Sequence, residues 1–510
     1  MSERTGAVRS QATDELGAHI AIQGPVVDSP RPALASKPVR AVLTLLAIAA
    51  ALQVVPGLER WRLFGERPPS EGEGVPPAVP EPVLTEGEAR LETETRTRPE
   101  LAQPEHVVIP STRRSPLDRG GAKRRLNLDI ERPPVSIVDP DDRGLGGFYR
   151  ALERTVDKDG DGITRIVHFG DSIITSDYVS GTLRRKFQKQ FGDSGHGYML
   201  LANAWPAYFH NDVERFASTG WLVSRIVGPL APDGLYGLGG VSFRAPPGSR
   251  ARFGTAKKGS YGTRVSRFEL VYLEEPGGGK ARINIDGKEY SVLDTNAEQK
   301  RVATKVIEVP DGAHELEFVT ISGYTRAFGV VMERTEPGIV YDAIGVQGAR
   351  IRFLDKQDDA HWAEQLRWRD PDLLIYQFGA NESGDGFAYP MDEYYETMKA
   401  VLQQGKRAVP DAGCLVIGAM DRAEKKGTAM RTMPVIPAIV KEQRKAAADT
   451  GCAFWNTYEA MGGPGSMAAW VQRGLGQADL THPTGSGSEV LASWIFSALM
   501  QGFTDYRASH

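Results

Sequence analysis

Residues 165–172 read RIVHFGDS, and this stretch decides the fold. Arg165–Phe169 is a short apolar run closed by Gly170, which predicts a buried strand stopping at a tight turn. Just beyond it, Val179, Leu183, Phe187 and Phe191 recur every four residues up to Gly192, the pattern of an amphipathic helix with a glycine stop. The same texture returns downstream. Ile339–Val346, Leu373–Phe378, Cys414–Ala419 and Ala453–Trp455 are strand-like, and 357–369, 391–405, 434–449 and 486–501 are helix-like. Strands alternating with helices predict an α/β unit with a parallel sheet wrapped by helices.

Residues 205–337 read differently. Phe268, Leu270 and Tyr272 alternate with Glu269, Val271 and Leu273, and Ile283 and Ile285 lead into Asp286-Gly287, a strong hairpin signal. His314, Leu316 and Phe318 alternate with Glu315, Glu317 and Val319 after Pro310-Asp311-Gly312. Short alternating strands with such turns predict an all-β sandwich. It is inserted after the first strand–helix unit, so the α/β domain is split into 131–204 and 338–510. Chains tolerate insertions where the ends of a surface loop lie close together.

The rest of the chain is not globular in texture. Residues 1–40 carry mixed charge without periodicity and predict a disordered cytoplasmic tail. Ala41–Leu58 is eighteen residues without a charge, just long enough for a membrane-spanning signal-anchor. Arg31, Lys37 and Arg40 before it balance Arg60, Arg62 and Arg67 after it, so charge alone sets no orientation. Residues 59–130 form a Pro/Glu-rich linker, with ten prolines between Arg67 and Pro116. The whole chain of 510 residues has a formal net charge of −4, which lacks the basic footprint expected of a nucleic-acid binder. Its two cysteines, Cys414 and Cys452, are too few for a disulfide scaffold or a thiolate zinc site and read as buried free thiols, with a single disulfide between them as the alternative.

Chemistry concentrates where predicted strands end, the place where open α/β sheets bind ligands. Gly170-Asp171-Ser172 presents a serine there. A serine nucleophile needs a base, and the base needs an orienting group. Of nine histidines, His482 stands apart, three residues after Asp479 in a loop before the final apolar helix. Asn381, in Phe378-Gly379-Ala380-Asn381-Glu382, offers a side-chain amide to an oxyanion; Gly348, in Gly345-Val346-Gln347-Gly348-Ala349, offers an unobstructed backbone N–H.

The four blocks, in the order Ser, Gly, Asn and Asp/His, resemble the SGNH (GDSL) hydrolase superfamily over about residues 130–204 and 338–505. That resemblance implies a three-layer α/β/α domain in which Ser172 is the nucleophile, His482 the base and Asp479 its orienting partner. Ser172, Gly348 and Asn381 would form the oxyanion hole, with no metal and no cofactor. The inserted β-domain is similar to the carbohydrate-binding-module-like insertion of the peptidoglycan O-acetyl esterase and O-acetyltransferase branch, although Ile173 stands where a polar residue is expected there.

The expectation is therefore an outward-facing, membrane-anchored serine esterase that removes O-acetyl groups from a cell-envelope glycan, peptidoglycan favoured, through an acyl-serine. The same residues would make an O-acetyltransferase, with an acyl-donor membrane partner, if the crevice admitted a sugar hydroxyl and excluded water. A lipid or small-ester hydrolase and a non-catalytic glycan-binding protein are the rivals; the full set of four residues argues against the latter. Other features read plainly. Asp157, Asp159 and Asp161 start like a calcium loop, but position twelve would be His168. Trp205, Tyr208, Trp221 and Tyr236 read equally as a sugar-stacking surface or as core. Arg184, Arg185, Lys186 and Lys189 read as the solvated face of the first helix.

Overall fold

The computed structural model describes residues 128, 130–140, 143–206 and 208–510. The predicted tail, membrane span and nearly all of the linker lie outside the described residues. Among the described residues, no helix is long and apolar enough to cross a membrane.

The chain opens with α1 (Gly146–Asp157), β1 (Ile163–Gly170), the one-turn helix α2 (Ser172–Thr175) and α3 (Val179–Phe191). Eleven strands follow: β2 (Gly195–Leu200), β3 (Val213–Ala217), β4 (Leu222–Arg225), β5 (Val241–Ala245), β6 (Arg250–Thr255), β7 (Val265–Glu274), β8 (Lys280–Ile285), β9 (Lys288–Asp294), β10 (Arg301–Gly312), β11 (Glu315–Ser322) and β12 (Thr325–Glu333). Then come β13 (Gly338–Gly345), α4 (Asp359–Arg369), β14 (Leu373–Gln377), α5 (Met391–Ala408), β15 (Gly413–Ile417), the hairpin β16 (Ala423–Lys426) and β17 (Ala429–Thr432), α6 (Val435–Thr450) and β18 (Ala453–Trp455). Three helices end the chain: α7 (Thr457–Met461), α8 (Ser466–Gln472) and α9 (Gly485–Ser509).

The central sheet has the order β13-β1-β14-β15-β18, and every neighbouring pair is parallel. Its strands are apolar on both faces because helices cover both. Ile166, Ile375 and Leu415 face a core shared with α1, α3 and α9. Val167, Tyr376 and Val416 face the opposite core, which also takes residues of α4, α5 and α6. Register aligns the strand ends. Gly170 pairs with Gly345 and Gln377, Gln377 with Ile417, and Ile417 with Trp455, so five carboxyl-terminal ends form one row.

The inserted strands form two antiparallel sheets, β10-β7-β12-β5-β4 with β2 on β12, and β3-β6-β11-β8-β9. Trp221 packs between Phe243 of the first and Phe318 of the second. Asp286 and Gly287 both take positive φ at the β8–β9 turn, as the tight hairpin requires. Two details depart from the sequence reading. β2, placed by sequence with the α/β unit, hydrogen-bonds into the sandwich. And β7 is buried on both faces: Val271 and Leu273 are fully buried and Glu269 accepts the Trp368 indole N–H at 2.9 Å, because the α/β unit covers that side. Arg369 anchors the same seam, ion-paired to Glu333 of β12 and Asp342 of β13 with all three side chains at most 3% exposed.

Two plain readings need correction and an open one closes. Cys414 and Cys452 are buried but are not free; they form a disulfide. Leu415 pairs with Ala453, so the residues just before them are neighbours across β15 and β18, although α6 separates them in sequence. Arg184 is not solvated. It lies 1% exposed, paired with Asp177 and Asp212, because its face of α3 packs under the start of the insert. Trp205, Tyr208 and Tyr236 are buried, which removes the sugar-stacking alternative for these three. Tyr208 and Tyr236 hydroxyls accept the Leu200 and Ala231 N–H groups instead.

Candidate active site

The row of strand ends places the predicted residues together. Ser172 follows β1, Gly348 follows β13 and Asn381 follows β14, each within four residues of its strand end. Asp171 accepts the Ile173 N–H at 3.0 Å and so caps α2. α2 itself sits directly on the end of β13, where a Cβ on Gly345 would stand 2.4 Å from the Thr175 nitrogen. Only a glycine at 345 lets the serine turn approach that closely.

Ser172 Oγ lies 2.8 Å from His482 Nε2. On the far side of the ring, His482 Nδ1 donates to Asp479 Oδ2 at 2.6 Å. The bond fixes the tautomer, since an ionised carboxylate only accepts, and leaves Nε2 as the acceptor for the serine proton. Asp479 Oδ1 accepts the Thr481 and His482 N–H groups at 2.9 and 3.0 Å. Partial burial raises the Asp479 pKa, but these bonds from His482 and Thr481 outweigh it and hold the carboxyl below its usual range. The turn between the two residues is costly: Leu480 has φ +60°, a left-handed conformation that disfavours a bulky side chain. Its side chain is 5% exposed in the core beneath α9, and its carbonyl accepts the Ala423 N–H at 3.0 Å. Packing and this bond hold the strained turn.

The candidate hydrogen-bond donors follow β13 and β14. Val346–Ala349 is a β-turn closed by Ala349 N–H to Val346 C=O at 3.0 Å, with Gly348 at φ +78° in its third position. That position requires φ > 0, which explains the glycine. The Gly348 N–H is given to no acceptor among the described residues. Asn381 Nδ2 donates to the Ala349 carbonyl at 2.9 Å and lies 3.4 Å from Asp171 Oδ2. The amide is thereby oriented from the same turn that carries Gly348.

Two buried acids were not given roles by sequence. Glu382 is 1% exposed and Asp171 is 1% exposed. Burial raises the Asp171 carboxyl to about 6 against the pull of the Ile173 N–H. It raises Glu382 to about 7, against the Ile351 N–H and with the help of the Asp171 charge. Nothing about Glu382 in the sequence beyond its place next to Asn381 pointed to this.

One further cluster has metal-ligand composition. Ligand atoms of Asp177, His196 and His210 lie within 4.8 Å of one another. They fit a cation poorly: Arg184 already pairs with Asp177, and His196 Nε2 and His210 Nδ1 hydrogen-bond each other at 2.9 Å. Burial, with Arg215 and Arg184 close by, also pushes the His210 pKa down to about 3 although Asp177 opposes it. The aspartates before β1 behave as a polar turn, Asp159 and Asp161 accepting the Gly160 and Ile163 N–H groups.

No protein-family model and no curated protein matches the sequence. Among solved structures, one described as a peptidoglycan O-acetylesterase in action is similar over 72% of this chain and 99% of its own, with 22% identity and a TM-score of 0.62. The likeness shows the fold, and it is the fold that the resemblance to SGNH hydrolases implied. The acetylxylan esterase Axe2 from Geobacillus stearothermophilus aligns over 32% of this chain and 73% of its own, at 19% identity and a TM-score of 0.25. A family two carbohydrate esterase from Cellvibrio japonicus aligns over 58% and 98%, at 12% identity and 0.24. At such scores these two add nothing to the fold.

Proposed function

We propose that the chain is a serine esterase that removes O-acetyl groups from a cell-envelope glycan, peptidoglycan by preference. The carrying observation is the continuous chain of contacts from Ser172 Oγ to His482 Nε2 and from His482 Nδ1 to Asp479. His482 takes the serine proton as Oγ attacks the acetyl carbonyl, and Asp479 holds the imidazolium that forms. The Ser172 and Gly348 N–H groups and the Asn381 amide receive the oxyanion. Collapse breaks the bond from the acyl carbon to the sugar oxygen, which takes the proton from His482 and departs as the hydroxyl, leaving acetyl-serine. Water, deprotonated by the same imidazole, then attacks the acyl carbon; the second collapse releases acetic acid, which ionises to acetate, as His482 returns the proton to Ser172 Oγ.

The glycan preference is supported by the neighbour whose described activity is peptidoglycan O-acetyl esterase. The apolar run Ala41–Leu58 and the proline-rich segment after it would tether the site outside the membrane. The Cys414–Cys452 disulfide supports an oxidising compartment. The test is acetate release from O-acetylated peptidoglycan and from an aryl acetate by full-length protein, with Ser172→Ala alongside. Serine-dependent release from both is expected. Turnover of long acyl esters in preference to acetyl, or glycan binding without any turnover, would overturn the reading.

A further inference from the structure

We infer that Glu382 is a positioning residue that locks together the two segments bearing the oxyanion donors. The inference rests on the esterase reading above for the meaning of those donors. Glu382 Oε1 accepts the Ile351 N–H at 2.8 Å, three residues beyond Gly348. Glu382 Oε2 accepts the Gly379 N–H at 3.0 Å, two residues before Asn381. One carboxylate therefore ties the loop after β13 to the loop after β14. Asn381 Nδ2 makes the second tie through the Ala349 carbonyl. Gly379, at φ +126°, and the turn at Gly348, at φ +78°, are both backbone shapes without side-chain packing of their own. External bonds must hold them, and buried N–H groups need acceptors. Above about pH 7 the ionised carboxylate accepts with both oxygens, which an amide cannot do, because Gln would set its NH2 against one of the two N–H donors.

The geometry of donors matters steeply, since removing one typically costs about 10²–10³ in rate. Glu382→Gln is therefore expected to slow both aryl-acetate kcat and the labelling of Ser172 by a fluorophosphonate about 10- to 100-fold, with KM within about threefold. Labelling needs the activated serine and the donors but no acetylated glycan, so it separates the two readings. Labelled wild-type protein that leaves glycan acetates intact would sink the glycan reading while this inference stands. Wild-type labelling rates in Glu382→Gln would sink the inference while the glycan reading stands, and a wild type that is never labelled sinks both.

A merely structural role is distinguished by a cycle with Asn381→Ala. If Glu382 acts through the donors, the double variant loses clearly less than the product of the two single losses, the remainder being the part exerted through the Gly348 turn; fully additive losses overturn the inference. Should Glu382→Gln fail to fold, Glu382→Asp enters the same cycle, with a smaller, non-additive loss expected and wild-type rates or additive losses overturning it.

Discussion

The two sides of the site are held by different means. The donor side, Ser172 with Gly348 and Asn381, stands on the aligned ends of three central strands and is tied by buried groups, Asp171 and Glu382. The base side is one loop between α8 and α9. His482 is 33% and Asp479 46% exposed, and the loop is kept by bonds within itself, such as Gln477 N–H to His482 C=O at 2.8 Å, with buried Leu480 and its bond from Ala423 N–H as its tie to the core. The proposed donors thus stand on fixed strand ends, while the proposed base owes its aim to a short strained turn in contact with water.

That contrast sets the order of expected effects. Ser172→Ala or His482→Ala should lower aryl-acetate turnover by about 10⁴ or more, leaving only what the donors supply. Asp479→Asn should cost about 10⁴, because the amide favours the wrong imidazole tautomer. Asn381→Ala should cost about 10². Steady-state kinetics on the four purified variants ranks them, and Asp479→Asn proving milder than Asn381→Ala would reverse the contrast, making the aim of His482 independent of Asp479.

The smallest effect is a difference in pH response. Asp171 and Glu382 are raised to about 6 and about 7, above the value near 4 of an unfolded carboxyl. Between these limits the folded chain holds protons that the unfolded chain has released, so stability falls as pH rises from about 4 to 7. Facing them are Tyr394, beside Glu382, and His482, beside Asp171. Asp479, held low, acts oppositely: its contribution is present above about pH 4 and is lost as pH falls, weakly because water screens it. Melting temperatures of wild type and Glu382→Gln across pH 4–8 should show a shallower fall in the variant at the upper end. Equal slopes would place the buried proton elsewhere.

The sequence made the parallel strands and the site blocks legible for a local reason. Each candidate site residue stands within a few positions of an apolar run, so the pattern that marks the strand also marks the site. What stayed hidden depends on contacts distant in sequence. The disulfide joins cysteines made neighbours only by register across β15 and β18, and Arg184 is buried only because Asp212 of the insert returns over α3. Glu382 had a visible position and no visible partners. β7 alternated as a half-exposed strand should, yet its second face meets α4, and periodicity carries no sign of what will cover a face.

The place of the insert bears on the order in which the molecule is made. β1 lies between β13 and β14 in the sheet, and both are synthesised after the entire sandwich. A growing chain thus carries an apolar strand with two open edges for as long as the insert takes to emerge, which is an association hazard. The sandwich also supplies the remedy. Once β2 pairs with β12, Gly195 stands opposite Glu333, and Ile339 bonds to Gly192 and Ser194. Folding of the insert delivers β13 to the flank of β1, with the second half of the α/β domain following on a leash a few residues long.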